Sequence, residues 1–350
     1  MSFTRQRPGN ACFSEWLPSP TVTLDPSRRT FAWRVPDNVV SLLPESTRKL
    51  LGCLTDPLVV LRDVALFDVC AGRARLTRWA LWSGLKAIAL DRDYSPIMDI
   101  NTDEGLSIAL AFLLRVQPGG LCFIGAQCSS WVWLSRATTK RSIDNPYGNT
   151  SFKKVVDGNS LNCRVALLCM IAFMCGVFFV IEQPASSLFF STSEMLHVFG
   201  RCGAMYRKFK MRDYGHPAHK DTILAGTAPW LKTLGDQVDF LGSRIASASV
   251  DQPETTAPGT VNGKAKAKGK AKAKGKAKGK AMAQGKAKAQ GKTKAKPSTS
   301  LAVHWEKNGV VKVRGKREYL KASQVYPAKF AAMVVKSHFP EAFGSQSKLP

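Results

Sequence analysis

Three strand-to-turn boundaries carry side chains able to do chemistry. The stretch GGLCFIGAQCSSWVW, residues 119–133, is an apolar run that ends on Gln127-Cys128-Ser129-Ser130. A cysteine thiolate is a strong nucleophile once its pKa is lowered, so Cys128 facing a cleft would attack an electrophilic carbon. An ordinary structural cysteine at a strand end is the alternative. The stretch FFVIEQPASSLF puts Glu182 where a second apolar strand emerges. Desolvation there raises a carboxyl pKa, so the group can hold a proton and donate a hydrogen bond. A solvated strand-end glutamate is the competing reading. In FKMRDYGHPAHKDTILAGTAPW, Asp213-Tyr214-Gly215 is a turn stiffened by Pro217. Lys220 and Thr222 can point to the same side of the strand that follows. His216 and His219 lack metal-ligand spacing and read as surface or turn histidines.

A fourth stretch, LFDVCAGRARLTRWALWSGLKAIALDRD, has the makings of a nucleoside site. A strand runs into Ala71-Gly72 and then a helix. The glycine admits close backbone approach, and the helix N-terminus offers amide donors. The next strand ends on Asp91, about 20 residues on, where a carboxylate can accept both hydroxyls of a ribose. A plain strand–helix–strand turn would look similar.

The elements that must position these groups alternate. VALFDVC, KAIALD and GGLCFIGA read as strands, separated by helices at LTRWALWSG and TDEGLSIALAFLLRV, the second capped by Thr102 or Asp103. A helix near 160–174, a strand VFFVI, a helix TSEMLHVFG and strands MYRKFKM and DTILAGT follow. This predicts an α/β fold with a doubly wound, mostly parallel sheet covered on both faces, its polar strand ends facing a ligand crevice. The run VALLCMIAFMCGVFFVI, residues 165–181, is 17 residues long. Cys175-Gly176 breaks it into helix and strand, so no membrane span is expected.

Composition divides the chain into an irregular, Pro-rich extension (1–60, with a helix near 45–54), the α/β domain (61–242), a linker (243–300) and a small hairpin-plus-helix module (301–345). The segment 262–297 holds 14 Lys and no acid, about half of the net charge of +26. Its Lys-Ala-Gly repeat cannot bury enough surface to order itself. Both the segment and the basic remainder suit a polyanion. The nine Cys form no CxxC pair, which fits reduced thiols with neither disulfides nor a metal site. The start lacks the apolar core of a secretory signal, and a nuclear location is expected.

The order of these pieces resembles the cytosine-C5 DNA methyltransferase family, within the S-adenosylmethionine-dependent Rossmann-like (class I) enzymes, over about 64–230. DVCAGRARL is similar to the D-x-F-x-G-x-G cofactor turn, which assigns Asp68, Ala71 and Gly72. LDRD is similar to the acidic end of the second strand, giving Asp91, and MDI gives Asp99, which would meet the adenine ring. GAQCSSW resembles the G-x-P-C-Q nucleophile loop, IEQP the E-N-V motif, and DYGHPAHKDTILAG the D-Y-G-V-P-Q-x-R-x-R strand. The resemblance implies S-adenosylmethionine as cofactor and nucleic acid as partner, DNA favoured over RNA. It implies that Cys128 adds to carbon-6 of a flipped cytosine, that Glu182 donates to N3, and that Lys220 contacts backbone or the carboxylate. Arg136, Lys140 and Arg141, just past the thiol, would grip phosphate, or form a solvated basic loop. The chain departs from the family pattern at Gln127, Ala74, Gln183-Pro184, Ala218 and Thr222. A degenerate fold that binds nucleic acid through its Lys-rich segment, without chemistry, is therefore the second reading.

Overall fold

The structure, a computed structural model, describes residues 31–52, 59–238, 302–307, 310–315 and 324–343. Residues 243–300, read above as the linker, and the first 30 residues of the extension lie outside them. The extension holds more regular structure than its prolines suggest. β1 (Phe31–Arg34) pairs antiparallel with β2 (Val59–Arg62), and between them lie α1 (Asp37–Leu42) and α2 (Glu45–Gly52). Buried Arg62 ties β2 to the main sheet by donating to the carbonyls of Val116 and Cys175 at 2.6 and 2.9 Å.

The central sheet is made by the apolar runs. β3 (Val64–Val69), β4 (Ala87–Leu90), β5 (Val116–Ile124) and β6 (Phe178–Pro184) are joined by β7 (Met205–Lys210), β8 (Asp221–Gly226) and β9 (Asp236–Gln237). Their order is β4-β3-β5-β6-β8-β7-β9. The first four are parallel, and β8 runs antiparallel to both of its neighbours. The sheet is therefore mixed, parallel through its first four strands. The reversal has a local cause: the short turn after β7 can only return the chain antiparallel.

Period-two alternation sends side chains to two covered faces. On one face Phe67 packs edge-on against Phe112 of α4 (Asp103–Leu114), and Phe179 stacks on Phe199 of α7 (Ser193–Cys202). The long α6 (Lys153–Met174) packs between them, against α4, α7 and β6. It starts earlier than expected because Val155, Gly158 and Leu161 continue its buried stripe into the polar stretch. By length and composition α6 could cross a membrane; its Val165, Leu168, Cys169, Ile171 and Ala172 are buried in the domain. α4 begins at Thr102, whose hydroxyl accepts from the Gly105 amide at 3.0 Å.

On the other face Leu66, Leu121, Phe123, Val180 and Leu224 meet Leu76 and Ala80 of α3 (Arg75–Trp82) and a helix from the far end of the chain, α8 (Ala328–His338). Besides these, β10 (Ala302–Lys307) and β11 (Val310–Gly315) form the expected antiparallel hairpin. Phe330, Ala331, Val334 and Val335 of α8 are fully buried, and Phe330 stacks on Phe209 at 5.7 Å. His338 fastens the far end of α8. Its Nε2 lies 3.0 Å from the Gly119 carbonyl, and its Nδ1 accepts from Trp230 at 3.1 Å. The described residues belong to one compact unit that joins the chain before residue 240 to the chain after residue 298.

Candidate functional site

The ends of β3, β4 and β5 lie side by side, so their loops share one edge. The turn after β3 is wound unusually. Cys70, Gly72 and Ala74 all have positive φ, 54°, 55° and 49°. For the two non-glycines this conformation is strained by about 1 kcal/mol or more each, a pattern that gathers at functional sites. Gly72 is exposed, and a Cβ placed on it would meet nothing within 4 Å. Asp91, half-buried at the end of β4, accepts from the Gly72 amide at 2.8 Å and the Asp93 amide at 2.8 Å. The Tyr94 hydroxyl donates to the Gly72 carbonyl at 2.7 Å. The turn and the acidic strand end are thus locked together.

Asp68 and Ala71 sit beneath this turn. Asp68 is buried, accepts from the Thr77 hydroxyl at 3.0 Å, and has its other oxygen buried with no hydrogen-bond partner. Burial pushes its carboxyl up to about 7, and nearby Asp91 adds to the rise. Ala71 is buried, and its amide donates to Leu90. Asp99 is half-buried, one oxygen accepting from the Asn101 amide at 3.0 Å in a turn that leads into α4.

The second group lies in the loop after β5, near the end of β6 and just before the start of β8. Glu182 is buried on the face that bears α8, with Lys220 Nζ 3.1 Å from one oxygen and the Tyr326 hydroxyl donating to the other at 3.2 Å. Cys128 is half-buried nearby. Burial pushes its thiol above the ordinary 9.0; Lys220 and Lys154 pull it down, and Glu182 pushes it up. The three residues singled out from sequence therefore meet electrostatically at one sheet edge. The fourth member, Tyr326, comes from a segment 144 positions beyond Glu182. Its hydroxyl stands 2.6 Å from where a Cβ on Gly125 would be, so any larger residue at the head of the cysteine loop would have to displace it. Burial and Glu182 drive the Tyr326 phenol far above its usual value.

Side chains behind the loop hold it. Fully buried Gln183 donates to the Ala126 carbonyl at 2.6 Å and accepts from Ser187 at 2.8 Å. Arg141 is buried, not part of a solvated basic loop. Its guanidinium lies 3.5 Å from the Trp131 ring centroid and donates to Pro146, Asn159, Ser130 and Val155. Burial lowers its pKa to about 10. A Cβ on Gly158 would stand 2.4 Å from Ser130 Oγ, so α6 presses directly on the loop. Arg136 is half-buried and donates to the Ser186 carbonyl at 3.0 Å, while Lys140 is exposed. His216, read as a surface or turn histidine, lies in the turn and is buried, its Nδ1 3.0 Å from the Ala218 carbonyl.

The chain matches no known protein family. No curated protein sequence matches it either.

Proposed function

We propose that this chain is an S-adenosylmethionine-dependent methyltransferase-like protein that methylates cytosine in nucleic acid through Cys128. One observation carries the reading: Cys128, Glu182 and Lys220 gather at the edge that also holds the Gly72–Asp91 turn. The residues there fit the cofactor. The space over Gly72 is open, and each Asp91 oxygen keeps a further acceptor position after its amide bond, available to ribose hydroxyls. Bound there, S-adenosylmethionine supplies an electrophilic methyl group.

The protein side chains do the rest. The Cys128 sulfur adds to carbon-6 of a cytosine turned out of its stack. The electron pair displaced from the C5–C6 bond moves toward N3, which takes a proton delivered through the Glu182 carboxyl group. That leaves carbon-5 nucleophilic enough to take the methyl group. Loss of the carbon-5 proton to a base then re-forms the double bond and breaks the C6–S bond, and N3 gives its proton back through Glu182, returning the thiolate and the neutral base. Lys220 orients the Glu182 carboxylate and favours the charged sulfur. Tyr326 holds the second carboxyl oxygen, and Gln183 fixes the loop that carries the nucleophile.

A second reading is a nucleic-acid-binding protein without chemistry. It is favoured by the raised Cys128 pKa and by a Glu182 already engaged on both oxygens. Transfer of labelled methyl from S-adenosylmethionine to cytosine-containing DNA and RNA separates the two. The first reading expects transfer that Cys128→Ser abolishes. The second expects none, with steeply salt-dependent binding that disappears when 262–297 is deleted.

A further inference from the structure

Beside the Cys128 loop lies a cleft of about 310 Å³. The first turns of α6 form one wall through Lys153, Lys154 and Asp157, the loop forms another through Gln127 and Ser129, and Arg92 closes the side toward Asp91. Its charges do not cancel. Lys153 Nζ is 2.8 Å from both oxygens of Asp157, so that pair neutralises itself. Lys154 and Arg92 are exposed and make no hydrogen bond or ion pair among the described residues. Two cations without an ion-pair partner among the described residues, Lys154 and Arg92, therefore face the cleft at the start of a 22-residue helix, whose dipole adds to the positive potential. Two neighbouring cations with hydroxyl and amide side chains between them match a phosphate, which has several acceptor oxygens and a delocalised charge.

We propose that this cleft is a phosphate-binding subsite in which Lys154 and Arg92 hold one phosphate group of the substrate. The assignment moves phosphate contact away from Arg141, which is buried behind Ser130 and Gly158, and to the exposed Lys154 and Arg92. That the phosphate belongs to a polynucleotide backbone rests on the function proposed above; the anion site itself does not. The Lys-rich segment can gather nucleic acid without regard to position. The cleft would instead fix one phosphate relative to Cys128, and so set which nucleotide reaches the sulfur.

Cys128 itself reports on the subsite, because Lys154 acts on its thiol. The test is site-resolved alkylation of Cys128 by iodoacetamide at pH 8 in the full chain, with exposed Cys163 as internal control. The probes are inorganic phosphate, hexathymidylate lacking terminal phosphates, and S-adenosylmethionine. An anion beside Lys154 offsets that lysine's effect on the thiol. Alkylation of Cys128 is therefore expected to slow about threefold or more with hexathymidylate or inorganic phosphate, while Cys163 is unchanged. Slowing by hexathymidylate identifies a backbone phosphodiester, and slowing by inorganic phosphate alone identifies a terminal phosphate; either supports the subsite. Lys154→Gln and Arg92→Gln should each remove the effect, and Lys154→Gln should slow alkylation without any probe. Protection that persists in both variants, protection by S-adenosylmethionine alone, or none by any probe overturns the proposal. Thymine oligonucleotides and a chemical label require no methyl transfer, so failure of the cytosine reading leaves this result standing.

Discussion

Replacing Lys220 by Met should expose how closely the candidate site is coupled. Lys220 Nζ lies 3.1 Å from Glu182, and the two side chains are only 10% and 7% exposed. Removing one member of a buried ion pair strands the other charge, at a cost of about 3–5 kcal/mol. The Tyr326 hydroxyl, 3.2 Å from the second oxygen, remains, which favours the lower part of that range. Adding Glu182→Gln removes the stranded charge, so the double variant should recover most of the loss. The coupling energy is then about 2 kcal/mol or more. Urea denaturation at pH 7 measures this through the midpoint at unchanged slope. The same Lys220→Met change removes one cation that favours the Cys128 thiolate, so alkylation of Cys128 should slow in parallel. If the two substitutions add to within about 0.5 kcal/mol, the pair is not coupled and this account of the site is wrong.

Three further outcomes follow from the same geometry. Arg141→Met should destabilise the protein by about 3 kcal/mol or more, since it leaves Ser130, Asn159 and two carbonyls without their donor; a loss of nucleic-acid affinity at unchanged stability in thermal melts would return Arg141 to the surface role. Phe330→Ala should cost about 3–5 kcal/mol by opening a cavity between Phe209, Tyr214 and Phe123, measured by urea titration. Burial lowers the His338 pKa from 6.5 to about 4. The unfolded chain therefore binds the proton first, and stability present above pH 6.5 falls by about 3 kcal/mol as pH drops toward 4; His338→Gln should flatten that part of the pH–stability curve.

Much of the sheet was legible because β3, β5 and β6 are short, nearly continuous apolar runs bounded by glycine and polar turns, and buried strands read that way. Cys128 and Glu182 were legible for a related reason, since each stands where such a run ends, and Lys220 stands where the run DTILAGT begins. Tyr326 was not. It lies across a low-complexity segment, and no local pattern distinguishes a helix that docks on a distant sheet from one in a separate small module. The signal available was the buried face of α8 itself: Phe330, Val334 and Val335 recur at helical spacing, and such a stripe needs a partner. Arg141 was misread because charge in a polar stretch suggests solvent. What decides its burial is Trp131, ten residues earlier, and Gly158 on α6, which only the folded chain brings around it. The antiparallel insertion of β8 also escaped the sequence, because apolar runs set which segments are strands and not their direction.

The most direct measurement uses DNA and RNA oligonucleotides carrying 5-fluorocytosine, incubated with the full chain and S-adenosylmethionine. Fluorine on carbon-5 cannot leave as a proton does, so a nucleophile attached at carbon-6 stays attached once the methyl group has been transferred. The account predicts a covalent protein–oligonucleotide adduct that survives denaturation, maps to Cys128 by mass spectrometry, and is missing in Cys128→Ser. Absence of any adduct from both DNA and RNA, with intact cofactor binding, or an adduct on a different cysteine, would contradict it.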